Sequence, residues 1–171
     1  MENRGGAGGA IGTAAAARAA PDGQTFLLVF DSHVVNPALM PNPGYDARQD
    51  FAPVMLLGSA PMLLATPKAR PWQNLSELLA AAQAKPDTLT YGTIGSGSLA
   101  HLTMTLLQER MGVRLVHVPY RGGGPLSTAA ASGEVDLVVA TNAGLGDRSV
   151  KRCGHWCRPV PAARRSFRIC R

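Results

Sequence analysis

The chain has 171 residues, of which 46% are hydrophobic and 16% are charged, a balance that excludes a disordered chain and fits one domain or two small lobes. Aromatic residues make up only 5%, which disfavours nucleic-acid binding by base stacking. The net charge of +6 belongs to the tail alone, because residues 1–146 hold nine basic and ten acidic residues whereas residues 147–171 hold eight and one.

The first part of the chain predicts one helix of small residues followed by apolar strands. The glycine-rich segment 1–12 leads into a helix predicted over Thr13–Ala20, which the turn sequence Pro21-Asp22-Gly23 ends. Nearly continuous apolar character, which a strand buried in a parallel sheet requires, predicts strands at three places after this turn. They are Thr25–Phe30, Phe51–Leu57 and Met62–Ala65.

Ser32 and His33 follow the first of these predicted strands and are candidate ligand-binding residues. In open α/β sheets, ligands gather at the carboxyl ends of the strands, which is where these two residues are expected. For His33 the alternative is a turn histidine that is bonded to the local backbone.

The stretch 91–107, YGTIGSGSLAHLTMTLL, predicts an anion-binding loop at the start of a helix. The predicted strand Leu89–Tyr91 enters a loop rich in glycine and hydroxyl residues, and Ser98 is the expected N-cap of the helix that follows. Free backbone N–H groups and the positive end of the helix dipole attract a carboxylate or a phosphate at such a place. The alternative is a plain strand-to-helix turn with a capped helix. The candidate binding residues in this loop are Thr93, Gly95, Ser96, Gly97 and Ser98.

A second glycine-rich loop follows the next predicted strand, Val113–Val118, and precedes a helix predicted over Leu126–Ala131. Two helix N-termini can face one ligand, and the second loop therefore strengthens the prediction of an anion site. Arg121 adds a positive charge there, or alternatively is a solvated loop cation. The candidate binding residues in the second loop are Tyr120, Gly122 and Gly123.

The order of the elements between residues 75 and 142 predicts the architecture of this half of the chain. A helix is predicted over Leu75–Ala84 and a final strand over Val135–Ala140, so helices and strands alternate three times. This alternation predicts a βαβαβ unit with a parallel sheet. Thr141 and Asn142 follow the last strand and are further candidates near the ligand.

Six segments stand in an order and spacing that identify a family. They are MENRGGAGGAIG, AAPDGQTFLLV, SHVVNPALMPNPGYDARQDFAPV, LTYGTIGSGSLAHL, VHVPYRGGGP and SGEVDLVV. Together they resemble the Bug-type periplasmic solute receptors of tripartite tricarboxylate transporters over about residues 1–142.

The resemblance implies a two-lobed α/β fold, of the type II periplasmic-binding-protein kind, that closes on a small carboxylate. Residues 1–66 are expected to form a partial first lobe and residues 67–142 a second lobe that is nearly complete. The resemblance also implies a monomeric receptor that is not an enzyme, needs no cofactor or metal, and delivers its ligand to membrane transporter subunits. It places the same candidate residues, from Ser32 to Asn142, at the ligand, and His101 behind the loop.

The resemblance further implies a periplasmic location. No run of about 18 apolar residues occurs, so no membrane span is predicted. No charged start followed by an apolar stretch opens the chain, and without a signal peptide the protein would stay in the cytoplasm as translated.

The chain departs from the family's pattern at both ends. The family's first strand with its PAGG-type loop, and the return of the chain to the first lobe after about residue 145, are expected to be missing. Residues 143–171 hold all three cysteines and are predicted to be a disordered basic tail translated from a shifted reading frame. A nucleic-acid-binding arm and a zinc site are the disfavoured alternatives, since the body offers no base readout and CxHxC spacing is unusual for zinc. No nucleic-acid partner is therefore expected, and the zinc candidates are Cys153, His155, Cys157 and Cys170.

The alternative function from another class is a dinucleotide-binding α/β enzyme. Gly95-x-Gly97-x-x-Ala100 after a strand matches a dinucleotide-binding fingerprint, but the acidic residue expected about 20 positions later is absent. A hydrolase that uses Ser98, His101 and Asp136 lacks a nucleophile elbow, and Ser98 is better explained as a helix cap.

Overall fold

The computed structural model describes residues 2–141. Asn142 and the tail 143–171, with the predictions made for them, lie outside the described residues. Within 2–141 the helices are α1 (Ala10–Ala17), α2 (Ser32–Leu39), α3 (Leu75–Ala84), α4 (Leu99–Met111) and α5 (Gly123–Ser132). The strands are β1 (Met62–Ala65), β2 (Thr90–Thr93), β3 (Val116–Pro119) and β4 (Leu137–Thr141), and a 3-10 turn at Ala7–Gly9 precedes α1. None of these helices is both long and apolar enough to cross a membrane.

One four-stranded sheet organises the described residues, in the order β1-β4-β2-β3. β2 lies in the middle and is parallel to both β3 and β4, whereas β1 is antiparallel to β4 at the edge. The predicted α/β class and the predicted alternation of helix and strand after residue 75 are therefore confirmed. β1 precedes the lobe boundary expected after residue 66 yet belongs to the same sheet; the division into two lobes stays a prediction.

The helix ends follow from local side-chain chemistry. Asn74 caps α3 by accepting the Glu77 N–H at 3.1 Å, and the Glu77 carboxylate accepts the Gln73 N–H in return. Ser98 caps α4 as predicted, since its Oγ accepts the His101 N–H at 3.3 Å. Gly112 ends α4 in the left-handed conformation, with φ of 61°, that favours glycine at this position.

Two buried clusters cover the two faces of the sheet. Residues of β4 divide between them by alternation: Leu137 and Val139 pack with α3 and α4, whereas Val138 and Ala140 pack with α5. Helices therefore cover both faces of the sheet, which fixes where α4 and α5 begin relative to its edge.

Two predicted strands are wrong. Residues 25–30 and 51–57 form no strand, and their apolar side chains are largely exposed, with Phe26 at 75% and Leu56 at 83%. A strand is stable only when its backbone groups pair with a neighbour, and within the described residues neither segment has a strand partner. The apolar composition was read correctly, but it does not supply the partner.

The first helix begins three residues earlier than predicted, at Ala10. Gly9 adopts a left-handed conformation, with φ of 90°, immediately before it. Thr13, expected at the helix start, lies inside the helix, where its hydroxyl donates to the Gly9 carbonyl at 3.0 Å.

Candidate anion-binding site

Two glycine-rich loops lie side by side at the carboxyl edge of the parallel strands. One loop joins β2 to α4 and the other joins β3 to α5. Thr93 and Pro119 face each other at the ends of β2 and β3, and the Tyr120 N–H donates to the Thr93 carbonyl at 2.9 Å. This hydrogen bond continues the strand pairing into the loops, so the N-termini of α4 and α5 begin next to each other.

The first loop is held by its own hydroxyl groups. The buried Thr93 hydroxyl donates to the Gly95 carbonyl at 3.1 Å, and the Ser98 hydroxyl donates to the same carbonyl at 2.7 Å. Gly95 and Gly97 have φ of 137° and 77°, values that side chains rarely adopt. The hydroxyls of Thr93 and Ser98 are thus engaged within the loop, whereas Ser96 is exposed.

The second loop turns at Gly122, whose φ of 104° again requires glycine. The Gly122 N–H donates to the Tyr120 carbonyl at 3.0 Å. The Tyr120 hydroxyl donates to the Glu134 carboxylate at 2.9 Å. Burial, together with this bond to a carboxylate, raises the pKa of Tyr120 to about 12, so its phenol stays protonated at neutral pH.

Several backbone N–H groups at these two helix starts have no hydrogen-bond partner within residues 2–141. Helix geometry leaves the first N–H groups of any helix without an internal acceptor. Ser98 satisfies only that of His101, and Pro125 has no N–H to satisfy. Neither helix carries an acidic residue in its first turn. The unbonded N–H groups are those of Ser96, Leu99 and Ala100 in the first loop and Gly123 and Gly124 in the second.

Two histidines support the first loop from behind. His101, in the first turn of α4, accepts the Gly97 N–H on its Nδ1 at 3.2 Å. His117, in β3, has its Nε2 at 2.7 Å from the Thr93 hydroxyl oxygen. The two imidazoles are stacked with their centroids 4.2 Å apart, and the Tyr91 ring stacks on His117 at 4.9 Å. Burial, and then the neighbouring His101, lowers the pKa of His117 to about 4.

Comparison with known proteins decides the family. The model of the tripartite tricarboxylate transporter family receptor, TctC, matches residues 1–149. The chain belongs to this receptor family. Its members are periplasmic solute-binding receptors and not enzymes, and the resemblance to Bug-type receptors is confirmed.

Three solved structures show the same similarity. The periplasmic binding protein BugD is 36% identical, with a TM-score of 0.76 over 82% of this chain and 47% of BugD. Rpa4515 of R. palustris, solved with adipate, is 32% identical, with a TM-score of 0.79 over 84% of this chain and 48% of that one. MatC of Rhodopseudomonas palustris, solved with malate, is 34% identical, with a TM-score of 0.71 over 81% and 48%. The chain thus spans about half the length of these solved relatives.

Of the residues predicted to bind the ligand of this TctC-family receptor, the structure brings together those of the two loops. Ser32 and His33 lie instead in the first turn of α2, not in a loop after a strand. His33 stacks on Tyr45 at 5.3 Å and contacts Phe51 edge-on, and its backbone carbonyl accepts the Tyr45 hydroxyl. Burial lowers the pKa of His33, and its Nδ1 is buried without a hydrogen-bond partner.

The contact between α2 and the first loop is made by a residue that the sequence did not indicate. A Cβ at Gly97 would lie 2.8 Å from Leu39 Cδ1, at the end of α2 opposite to Ser32 and His33. Thr141 ends β4 and is paired with Met62. The loops, Leu39 and the end of β4 therefore share one edge of the receptor, while Ser32 and His33 lie about two helical turns away.

The structure also separates the three residues of the hydrolase alternative. Asp136 binds the N–H and the hydroxyl of Thr90 at the amino end of β2, at the edge opposite to Ser98 and His101. A Ser-His-Asp relay requires hydrogen bonds between consecutive members, which this separation prevents. Within residues 2–141 no group of three His, Cys, Asp or Glu side chains could hold a metal ion.

The lowered pKa of His117 predicts a pH dependence of stability. His117 is neutral in both states above its ordinary value of 6.5, and below it only the unfolded chain takes up the proton until pH about 4. Stability is therefore present above pH 6.5 and is lost as the pH falls toward 4. After allowance for solvent screening, we expect the free energy of unfolding to fall by about 1 kcal/mol between pH 7 and pH 5 on account of this group. Urea denaturation at both pH values measures it.

The control for this prediction is His117→Gln, whose amide reaches Thr93 without titrating. The carboxyl groups titrate alike in both proteins, so the difference in pH dependence between them belongs to His117. An equal loss of stability in both proteins would contradict the prediction.

Proposed function

We propose that this chain is a solute-binding receptor that captures a small carboxylate between the N-termini of α4 and α5. The observation that carries the proposal is the juxtaposition of two helix starts with unbonded N–H groups, joined by the hydrogen bond from Tyr120 to Thr93. Helix N-termini carry a positive partial charge, and N–H groups that donate to a carboxylate form charge-assisted hydrogen bonds. Two such helix starts suit one carboxylate group.

The family and its solved members support the carboxylate class. Adipate and malate, the ligands in the two R. palustris structures, are both dicarboxylates. The exposed Arg121, between the two helix starts, adds positive charge at this edge. We propose that the receptor acts as a monomer in the periplasm and delivers its ligand to membrane transporter subunits.

The proposed binding residues divide by role. Ser96, Gly97 and Gly123 present backbone groups to the ligand, whereas Thr93, Gly95, Ser98, Tyr120 and Gly122 give the loops their shape. Thr141, at the same edge, and Asn142, which follows it, complete the proposed set on this side. Ser32 and His33 remain proposed as contacts from the other side of the ligand.

Titration followed by ¹⁵N–¹H NMR tests the proposal, because it detects weak as well as tight binding. We expect malate or adipate to shift the amide resonances of Gly95, Gly97, Gly123 and Gly124 of the 171-residue chain in a saturable way. Gly124→Pro removes one donor in the first turn of α5, where proline is tolerated, and should weaken binding about fivefold to tenfold. Gly124→Ala keeps the N–H, its Cβ would meet no atom within 4 Å, and it should bind like the unchanged protein.

Three further titrations define the alternatives. The diamide of the same acid should leave these resonances unchanged, because it lacks the negative charge. Sodium chloride should not reproduce the shifts. NAD should not shift them either; saturable shifts with NAD and none with the dicarboxylates would overturn the receptor proposal in favour of a dinucleotide-binding protein.

A further inference from the structure

The first loop rests on two histidine side chains, one near each of its ends. Thr93 begins the loop and its hydroxyl oxygen is 2.7 Å from His117 Nε2. Gly97 lies near the end of the loop and donates its N–H to His101 Nδ1 at 3.2 Å. The two imidazoles stack nearly parallel, with 16° between their planes, so a displacement of one ring affects the support of both ends.

The bond to Gly97 determines the protonation state of His101. A backbone N–H can only donate, so His101 Nδ1 must carry a free lone pair and the ring proton of the neutral form lies on Nε2. A protonated His101 would place an N–H against the Gly97 N–H. The hydrogen bond would then be lost and replaced by repulsion between two donors.

The surroundings of the pair offer no compensation for a positive charge. The groups that face the imidazoles are the other imidazole of the pair, the ring of Tyr91 from β2 and the hydroxyl of Thr93. Within residues 2–141 no carboxylate makes a hydrogen bond or an ion pair to either ring. Two stacked imidazolium ions at 4.2 Å would also repel each other.

We propose that His101 and His117 are positioning residues of the anion loop, and that acidification releases the loop by protonating the pair and breaking the bond from Gly97 to His101. The imidazoles do not touch the ligand in this proposal; they hold the backbone that does. The consequence for ligand affinity rests on the proposed function, but the state of the loop is measured without any ligand.

The test compares the unchanged protein with two variants of one position. His101→Asn keeps an uncharged acceptor near the place of Nδ1, and His101→Leu removes the acceptor while keeping an apolar side chain of similar bulk. Between pH 8 and pH 5, we expect the Gly97 amide shift of the unchanged protein to follow the protonation of His101 seen in its side-chain ¹⁵N resonances. The hydrogen-exchange protection of Gly97 should fall at least tenfold over the same range.

In His101→Asn the Gly97 amide should stay protected and independent of pH, and in His101→Leu it should be unprotected at every pH. Glu109→Gln, at an exposed position of the same helix, should behave like the unchanged protein. A Gly97 amide that ignores the protonation of His101, or equal protection in the Asn and Leu variants, would overturn the proposal. If His101→Leu does not fold, the comparison of His101→Asn with the unchanged protein decides alone.

Dicarboxylate titrations at pH 8 and pH 5 then connect the loop to the ligand. We expect about a tenfold loss of affinity on acidification in the unchanged protein and less than a twofold loss in His101→Asn. A loop that responds to pH in a protein that binds no carboxylate would support the positioning role and refute the proposed function, so the two failures are distinguishable.

Discussion

Gly92→Val is expected to lower the free energy of unfolding by about 3 kcal/mol, the largest effect of any substitution considered for this receptor. Gly92 lies in β2, between Tyr91 and Thr93, on the face of the sheet that α5 covers. A Cβ there would lie 2.7 Å from Leu126 Cδ1, 3.0 Å from Tyr120 Cε2 and 3.4 Å from Val135 Cγ2. Leu126 has no exposed surface, so its side chain has no free space into which it can move.

Thermal and urea denaturation measure this effect, and Gly92→Ala should cost less, about 1–2 kcal/mol, because it adds only one methyl group. Gly58→Val is the control: a Cβ at Gly58 would meet no atom within 4 Å, and the change should stay within about 0.5 kcal/mol. Because the Tyr120 ring also contacts this position, the Gly92 variants should shift the amide resonances of the second loop. Unchanged stability of Gly92→Val would show that α5 does not pack on β2 as described.

Asp136→Asn is expected to cost about 2 kcal/mol, although it changes a single atom of the side chain. One carboxylate oxygen of the buried Asp136 is 2.8 Å from the Arg70 guanidinium, and the other accepts the N–H and the hydroxyl of Thr90 at 2.8 and 3.0 Å. Both oxygens therefore face donors. An amide in either orientation turns one NH₂ group toward a donor and also loses the attraction to Arg70.

The control for Asp136→Asn is the same chemical change at an exposed ion pair. Asp87 and Arg114 are 2.7 Å apart, but their side chains are 52% and 72% exposed. Exposed pairs contribute little, and Asp87→Asn should change stability by less than about 0.5 kcal/mol. Asn also tolerates the φ of 57° at position 87. Equal stability losses in the two variants, measured by urea denaturation, would show that Asp136 does not join β2, β4 and the segment before α3.

The second half of the chain was predictable because its signals are local. Ser98 and Gly112 mark the two ends of α4 by their side-chain chemistry, and Asn74 marks the start of α3. These signals act within a few residues and do not depend on the rest of the chain. The alternation of helix and strand then leaves few ways to arrange the elements, and the parallel pairing of β2 with β3 and β4 follows.

The first half was less predictable because its apolar segments depend on partners. Residues 25–30 and 51–57 have the composition of buried strands, yet they lie extended and exposed. Met62–Ala65 has the same kind of composition and does form a strand, since β4 provides its partner. Composition records that a segment is suited to a sheet, whereas pairing decides whether a strand exists there.

The sequence by itself determined the family, the alternating elements after residue 75, and the two loops with their glycine and hydroxyl residues. Only the tertiary structure decided how these loops are used. It engages the hydroxyls of Thr93 and Ser98 inside the loop, leaves the backbone N–H groups for a ligand, and places His117 of β3 against His101 of α4. No pattern in the sequence links residues 101 and 117, because their contact arises only when β3 pairs with β2 and α4 packs back on the sheet. Local chemistry specifies helix ends and turns; contacts between distant residues depend on the pairing and packing of whole elements.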